Sequence, residues 1–434
     1  MTSDLPSVDR EILRGVLVVF LFAAISACAG AAKEIAIAWK FGISEVVDAY
    51  QFVFTVSQWP LALLATLFVV TIVPLAGRLR LESSDELVRL RREVLGLALI
   101  LTLPLCGLVY SGLKFAVSLS FGPDASEIQY LAGSMVLPLT LSFGAGVFAV
   151  LLGGWIMADH RHINTMLQAV PALCVLLAVL AVNGGSEVLA WGTAIGFLLY
   201  ALVSWAALGI PRGERSPSFS FDSPHWRTLL AGMGTLLIGQ LLLSLVTIVD
   251  QFFAASLEAG SLSALGYASR VTGLVLGLLS LAIGRGMLPV LSRVAVEAPE
   301  KLWSICNRYM CIVFLVGLVL AGAGMLVSHS LVALLFERGE FDVADTLRVT
   351  ELVQYAMVQV PFYLTSMVAV SVLLAQRRYI PVMLAAGLNG LLKVVLALFL
   401  VSRFGLPGLL LATAFVYLVS SLHCWLHLRF RRLA

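Results

Sequence analysis

Residues 249–293 read VDQFFAASLEAGSLSALGYASRVTGLVLGLLSLAIGRGMLPVLSR, and this stretch decides the class of fold. Asp250 lies towards the end of one apolar run, a Gly/Ser turn follows, and the next apolar run carries Arg270 and Arg285. Charged side chains at such depth are costly in lipid unless they face a cavity or a partner. The stretch therefore predicts two consecutive membrane helices that carry functional groups.

The whole chain has the composition of a membrane protein. It has 434 residues, of which 60% are hydrophobic and 12% charged, against roughly 25% charged residues in soluble domains. A transmembrane helix needs about 20 apolar residues. Twelve such runs occur, at residues 12–41, 46–76, 94–121, 130–157, 164–183, 188–209, 228–257, 263–292, 303–327, 347–375, 381–401 and 407–428. We therefore predict an all-α polytopic membrane protein with twelve transmembrane helices, some of them tilted, kinked or projecting beyond the bilayer.

Basic residues are distributed unevenly between the two sides of the predicted membrane. Of 28 lysine and arginine residues, nineteen fall in the segments on the side of the N-terminus, three fall in loops on the other side, and six lie within or at the ends of spans. Cytoplasmic loops are enriched in basic residues. The pattern predicts a multi-pass membrane protein with both termini in the cytoplasm.

The two halves of the chain resemble each other. TIVPLAGRL (71–79) is similar to GMLPVLSRV (286–294), and ADHRHINTMLQA (158–169) is similar to AQRRYIPVMLAA (375–386). Six spans in each half place both halves in the same orientation, and transporters built from such repeats bind their substrate between them. We predict an N-terminal six-helix lobe (1–209), a cytoplasmic linker rich in Pro, Ser and charge (210–227) and a C-terminal six-helix lobe (228–434).

Two basic residues at similar depths are candidates for binding an anion. Lys33 lies about 12 Å, or eight residues, inside the outer end of the first helix, and Arg270 lies at a similar depth below the Gly260-Ser261 turn. An ammonium and a guanidinium facing one cavity suit a phosphate group. The alternative is structural pairing with an acid on a neighbouring helix. Glu34 is not the expected partner of Lys33, because adjacent residues do not face each other on a helix.

Two further cations are placed differently. Arg285 lies about 36 Å below the same outer turn, near the cytoplasmic interface, where it either snorkels or makes the first contact with a substrate. Lys393 lies near the middle of the eleventh run and has no obvious partner in the sequence. We include both among the predicted substrate-binding residues.

Three acids are candidates for gating or ion coupling, namely Glu34, Asp48 and Asp250. Asp48 and Asp250 flank the two outer turns, where they could close an outer gate or coordinate a coupling cation. The alternative for Asp48 is capping of the second helix, whose N-terminus favours an acid. Transport would then be driven by Na⁺, by H⁺ or by the membrane potential.

An enzymatic function has no residues to support it. The sequence contains no HExxH motif, no Gly-rich phosphate loop and no legible Ser-His-Asp arrangement. The longest predicted outer loop, residues 328–346, is short for a catalytic domain. We therefore expect a transporter without a cofactor and without a nucleic-acid partner, and we hold a membrane glycan ligase or scaffold as the weakest alternative.

Three motifs resemble one known family. KEIAIAWKFGISEVVDAY (33–50), IVDQFFAASLEAGSLSALGYASRV (248–271) and ALLFERGEFDVADT (333–346) are similar to segments of the lipid II flippases, the MurJ/MviN family of the MOP superfamily. The resemblance covers nearly the whole chain. It implies a MOP/MATE-like fold of two six-helix lobes in parallel pseudo-repeat around a cationic cavity. By this resemblance Lys33, Glu34, Asp48 and Arg270 match functional positions of the family.

The resemblance also implies a substrate. The family moves a polyprenyl-pyrophosphate-linked saccharide from the cytoplasmic to the outer leaflet by alternating access, in contact with membrane lipids and within reach of a cell-envelope synthesis complex. The chain departs from the family pattern in having Ser26-Ala27 and Leu61-Ala62-Leu63 where arginines are usual, and twelve helices instead of fourteen. A flippase for another lipid-linked saccharide, for an exopolysaccharide or O-antigen, is therefore one alternative, and a cation-coupled multidrug exporter is another.

Overall fold

The computed structural model is mostly helical in the part of the chain that it describes. It describes residues 5–121, 126–159, 162–209, 216–287, 291, 293, 294, 297, 299–376 and 378–430. The helices are α1 (Leu5–Phe41), α2 (Glu45–Glu82), α3 (Ser84–Ser120), α4 (Ser126–Ala158), α5 (Ile163–Leu167), α6 (Val170–Ala181), α7 (Ser186–Ala207), α8 (Trp226–Ala255), α9 (Ser261–Gly286), α10 (Pro299–Phe336), α11 (Val343–Met357), α12 (Val360–Ala375), α13 (Tyr379–Phe404) and α14 (Leu406–Phe430).

Eleven spans in the described ranges are long and apolar enough to cross a membrane, or twelve if one bent pair counts as a span. The bent pair is α11 and α12, which meet at an angle of 40° where Pro361 occupies the first turn of α12. Pro at that position needs no backbone donor, so the chain restarts as a helix directly after the break. The prediction of an all-α protein with twelve transmembrane segments is confirmed.

Several helices are longer than the bilayer is thick. Helices α2 and α10 each have 38 residues, which corresponds to about 57 Å at 1.5 Å per residue, against about 30 Å of hydrocarbon. Helix α2 contains Pro60 and Pro74, and α4 contains Pro138. Prolines are tolerated in membrane helices because neighbouring helices and side chains satisfy the freed backbone groups.

The contacts divide the chain into two units. The first unit comprises the N-terminal part up to Lys40 and then Ala49–Ile238, and the second comprises Phe41–Asp48 and the chain from Gly239 onward. The turn between α1 and α2 thus lies in the second unit, although both helices continue into the first. The predicted lobe boundaries and the cytoplasmic linker between them remain predictions, and residues 210–215 of that linker lie outside the described ranges.

In the first unit α4 forms the centre of the packing. It lies against α3 and α7, and it is the most buried of the spans. Its buried Trp155 and Ile156 pack in one apolar cluster with Leu79 of α2 and Leu90 of α3. In the second unit α13 packs on α14, α10 on α12, and α9 on α11. Each unit therefore has its own helix-packed interior in which a polar site can be held.

Candidate substrate and coupling sites

A cavity of about 400 Å³ lies within the first unit. Its wall is formed by side chains of α1, α2, α4, α6 and α7 and by Gln168 in the turn before α6. Most of the wall is apolar, and the polar side chains that line it are Lys33, Tyr50, Gln58, Gln168, Thr193 and Tyr200. An apolar cavity of this volume with a few convergent polar groups is typical of a ligand site.

Lys33 is the cation of this cavity. Its side chain is largely buried, its Nζ lies 2.8 Å from Glu34 Oε1, and it also lies 5.5 Å from the centre of the Phe54 ring. The expectation that Glu34 would not be its partner was wrong. The Cβ atoms of adjacent helical residues point in different directions. The lysine side chain has four rotatable bonds, so its ammonium can still bend around the helix to the Glu34 carboxylate. The pair places a cation and its counter-charge together at the wall of the cavity.

The other polar side chains of the cavity are held by neighbouring helices. Tyr50 Oη lies 2.8 Å from Thr193 Oγ1, and the Thr193 hydroxyl donates to the carbonyl of Leu189, so the tyrosine is the donor. Gln58 Nε2 donates to Ser142 Oγ at 3.1 Å. These bonds orient the polar part of the wall, because each group has a fixed partner on another helix or on its own backbone.

Asp48 caps α9, a helix that begins 213 positions later in the chain. Its Oδ2 accepts a 2.6 Å hydrogen bond from Gly260 N–H and its Oδ1 a 2.7 Å bond from Ser263 N–H, and the residue is 2% exposed. A carboxylate is stabilised there by the unpaired N–H groups and the helix dipole. The carboxylate thus caps α9, whereas the alternative to a gating role in the sequence analysis was a cap on α2.

The turn at residues 41–44 is also bonded to the second unit. Ile43 N–H donates to Asp345 Oδ2 at 3.1 Å, and the Tyr267 hydroxyl donates to the carbonyl of Gly42 at 3.1 Å. Gly42 has φ +55°, and a Cβ on it would lie 2.5 Å from the Glu340 carbonyl oxygen, so only glycine fits. The three motifs of the sequence analysis therefore meet at this turn.

Lys393, which is buried, and Asp250, which is partly buried, form an ion pair in the second unit. Lys393 Nζ lies 2.6 Å from Asp250 Oδ1, and it donates to the carbonyl of Leu409 at 2.9 Å and to Thr413 Oγ1 at 2.5 Å. The lysine is 0% exposed. This partner could not be predicted from the sequence, because Asp250 lies in α8 and Lys393 lies in α13. The pair shows how an embedded cation and an embedded acid are neutralised together.

The structure does not test the predicted substrate-binding role of the two arginines of α9. Arg270 is exposed, and Arg285 lies in the last turn of α9 with a side chain that is outside the described part of the structure. The proposed meeting of Lys33 and Arg270 on one anion joins residues of the two units, and it stays a prediction.

A buried acid that the sequence analysis passed over lies on α3. Glu93 is 0% exposed and accepts hydrogen bonds from the Trp226 indole (2.7 Å) and from the backbone N–H groups of Asp222 and Ser223 (both 3.1 Å). It thereby fixes the described part of the predicted linker, 216–227, against α3. The signal in the sequence was an acid directly after residues 78–92, a stretch that contains five arginines.

Comparisons with known proteins agree on one family. The family model "Lipid II flippase MurJ" matches residues 37–433. A probable lipid II flippase MurJ of Bdellovibrio bacteriovorus is 30% identical over 250 residues, which is 56% of this chain and 46% of that protein. A probable lipid II flippase MurJ of Rhizobium meliloti is 25% identical over 88% of this chain and 74% of that protein.

Solved structures show the same fold. A lipid II flippase MurJ in an inward closed conformation superimposes with a TM-score of 0.80 and 18% identity, covering 95% of this chain and 87% of that one. An inward-facing multidrug resistance MATE family transporter of the MOP superfamily superimposes with a TM-score of 0.76 and 16% identity, covering 94% and 98%. The predicted MOP/MATE-like fold is confirmed.

Proposed function

The chain belongs to the MurJ family of lipid II flippases, which are transporters and not enzymes, and we propose that it moves lipid II, a polyprenyl-pyrophosphate-linked saccharide, from the cytoplasmic to the outer leaflet. The observation that carries the proposal is the family match over residues 37–433. The protein is a multi-pass membrane protein, and we propose the bacterial cytoplasmic membrane as its location, with both termini in the cytoplasm.

The chemistry of the first unit supports an anionic substrate. Lys33 supplies an ammonium at the wall of a mostly apolar cavity, where a charge interacts far more strongly than it does in water. A pyrophosphate entering there would compete with Glu34 for Lys33, and charge-assisted bonds to phosphate are among the strong hydrogen bonds. We propose that Arg270 supplies the second cation. A volume of about 400 Å³ holds only part of a lipid-linked saccharide, so the remainder lies elsewhere during transport.

We further propose that transport proceeds by alternating access and that Asp48 belongs to the outer gate. The turn at residues 41–44 and Asp48 are bonded to Gly260, Ser263 and Asp345 within the second unit, while α1 and α2 continue into the first. Opening to the outside would then release these bonds. The two backbone hydrogen bonds of Asp48 would stabilise the closed state. A substrate that binds the open state better would shift the equilibrium towards it.

A cation-coupled multidrug exporter is the alternative from another class. Its fold is the same, as the MATE transporter shows, but a cationic drug would be repelled by Lys33 in the cavity. A flippase for a different lipid-linked saccharide shares the whole argument about the pyrophosphate, and it differs only in the sugar.

The test is rescue of bacterial cells depleted of their own lipid II flippase. We expect the wild-type protein to restore growth, and Lys33→Ala and Arg270→Ala to lose rescue at normal membrane levels. Lys114→Ala removes an exposed lysine of α3 and is the matched control. Full rescue by both alanine variants would overturn the roles of these two cations.

The result for the wild-type protein in the same experiment tests whether lipid II is the substrate. If it reaches the membrane at normal levels and still fails to rescue, lipid II is excluded as substrate. Loss of a surface polysaccharide in a deletion strain would then identify the other lipid-linked saccharide.

A further inference from the structure

The ammonium of Lys393 has the environment of a bound metal cation. Three oxygen atoms surround it, a carboxylate of Asp250 at 2.6 Å, a carbonyl of Leu409 at 2.9 Å and a hydroxyl of Thr413 at 2.5 Å. An ammonium has three N–H donors and no acceptor; two donate to the carbonyl and the hydroxyl, and Asp250 is the counter-charge beside it. Carboxylate, carbonyl and hydroxyl oxygens are also the ligands that hard cations take from proteins. These three groups are hereafter called the oxygen cage.

The oxygen cage is built by the helices and does not depend on the lysine for its shape. Leu409 and Thr413 are four residues apart on α14, so they lie on one face, and the Thr413 hydroxyl donates to the Leu409 carbonyl at 3.1 Å. That bond leaves the hydroxyl lone pairs available for a cation. The close approach of α13 to α8 depends on Gly390, where an added Cβ would lie 3.2 Å from Leu245 Cδ1.

A fourth oxygen lies one helical turn away. The amide oxygen of Asn389, on α13, is buried and accepts no hydrogen bond from the described residues, while its Nδ2 donates to Ser420 Oγ at 3.3 Å. A buried acceptor without a donor is costly. Asn389 precedes Lys393 by four residues, so this acceptor lies on the same face of α13 as the lysine.

The charge of the oxygen cage selects the kind of cation. Asp250 is its one ionised ligand, and the carbonyl and the hydroxyl are neutral, so a single positive charge balances it. A buried ion pair that is fully hydrogen-bonded can offset the cost of desolvation, whereas a second uncompensated charge could not. The oxygen cage therefore fits one monovalent cation.

We propose that Lys393 is a resident substitute for a monovalent metal cation: its ammonium permanently fills a cation site formed by Asp250, Leu409 and Thr413. The protein then needs no alkali cation from solution at this position. The lysine also joins α8, α13 and α14 through one charge, and so it is a positioning residue of the second unit with no contact to substrate. This inference goes beyond the proposed function and rests on it only for the transport measurement below.

The test removes the tether and offers the cation separately. Lys393→Ala deletes three methylene groups and the ammonium, which propylammonium can replace. In purified protein we expect propylammonium to raise the melting temperature of Lys393→Ala by on the order of 3–6 °C at about ten times its Kd. Tetramethylammonium, which has the same charge and no N–H donor, is expected to have no effect on it. Lys114→Ala, the exposed control, should respond to neither.

The second part of the test measures the effect of alkali cations on the wild-type protein. Exchange of Na⁺ or K⁺ for choline should leave the melting temperature of the wild-type protein unchanged, and should leave its rescue of depleted cells unchanged at equal ionic strength. Stabilisation of the wild-type protein by Na⁺ or K⁺ that is lost in Asp250→Ala would show that an alkali cation still binds at the oxygen cage although the lysine is present. Failure of propylammonium, Na⁺ and K⁺ alike to stabilise Lys393→Ala would reduce the oxygen cage to an ordinary ion pair. Either result overturns the inference.

A variant that does not accumulate still gives an answer. If Lys393→Ala is absent from membranes, propylammonium added during expression is expected to restore it, and continued absence counts against the proposal. The melting-temperature measurements do not require any transported substrate. A protein that shows cation-independent stability but rescues no cells would therefore disprove the proposed substrate while leaving the oxygen cage intact.

Discussion

Removing the carboxylate of Asp48 should weaken the second unit by an amount that can be worked from its contacts. Asp48→Ala deletes two acceptors, at 2.6 Å from Gly260 N and 2.7 Å from Ser263 N, in a site that is 2% exposed. Hydrogen bonds to charged groups contribute about 1.5–3 kcal/mol each, and loss of an N-cap alone costs about 0.5–2 kcal/mol. Because the hydrogen-bond and N-cap contributions overlap, we expect the free energy of unfolding to fall by about 3 kcal/mol.

The assay is thermal unfolding of the purified protein. For a unit of roughly 200 residues, 1 kcal/mol corresponds to about 2–4 °C, so Asp48→Ala should lower the melting temperature by about 6–12 °C. Asp48→Asn keeps one acceptor and turns an amide towards the other N–H, and about half of the effect is expected. Glu45→Ala, in the first turn of α2 and half-buried, is the matched control.

The proposal that Asp48 belongs to the outer gate can be tested by a second measurement on the same variants. Asp48→Ala removes the bonds to Gly260 and Ser263. The turn at residues 41–44, which lies directly before α2, should then be released more often. A cysteine at Ser44 is then expected to react faster with a water-soluble maleimide in Asp48→Ala than in Glu45→Ala. Equal melting temperatures and equal labelling rates for the two variants would refute the cap and the gate together.

The remaining predictions concern the linker and the turn. Glu93→Ala leaves an indole N–H and two backbone N–H groups without their buried acceptor, so we expect the free energy of unfolding to fall by about 3 kcal/mol and protease cleavage within 216–225 to become faster. Asp85→Ala, which removes an exposed acid from the first turn of α3, should be cleaved at a rate near that of wild type. Gly260→Ala combines φ +83° with a Cβ 2.5 Å from Ile43 Cγ2, and we expect a loss of about 1–3 kcal/mol in thermal unfolding. Gly234→Ala, where an added Cβ meets open space, should be neutral or slightly stabilising, and an equal loss in both glycine variants would contradict the steric argument.

The identity of the spans could be predicted from the sequence because lipid demands long apolar helices. Each run of about 20 apolar residues has one outcome in a bilayer, in which all backbone groups must be satisfied within the segment. Even the break at Pro361 changes only the direction of one span. The embedded charges were equally legible, since Lys33, Asp48, Asp250 and Lys393 are conspicuous in an apolar chain.

The partners of those charges could not be predicted, because side-chain reach and helix packing decide them. Lys33 bonds the adjacent Glu34 by folding back along its own flexible stem, against the expectation from helical spacing. Asp48 caps a helix that starts at Ser261, and Glu93 holds a segment that the composition presented as a linker. Such pairs join elements far apart in sequence, and no local pattern records them.

The sequence by itself determined that this protein is a helical membrane transporter with charge inside the bilayer, and its motifs determined the family. Those properties follow from composition and from local order, which act along the chain. Only the tertiary structure decided that Lys393 is enclosed by Asp250, Leu409 and Thr413, while Lys33 lies at a cavity wall. The physical reason is that a buried charge must be matched by whatever groups the packed helices bring within about 3 Å, and that distance exists only after folding.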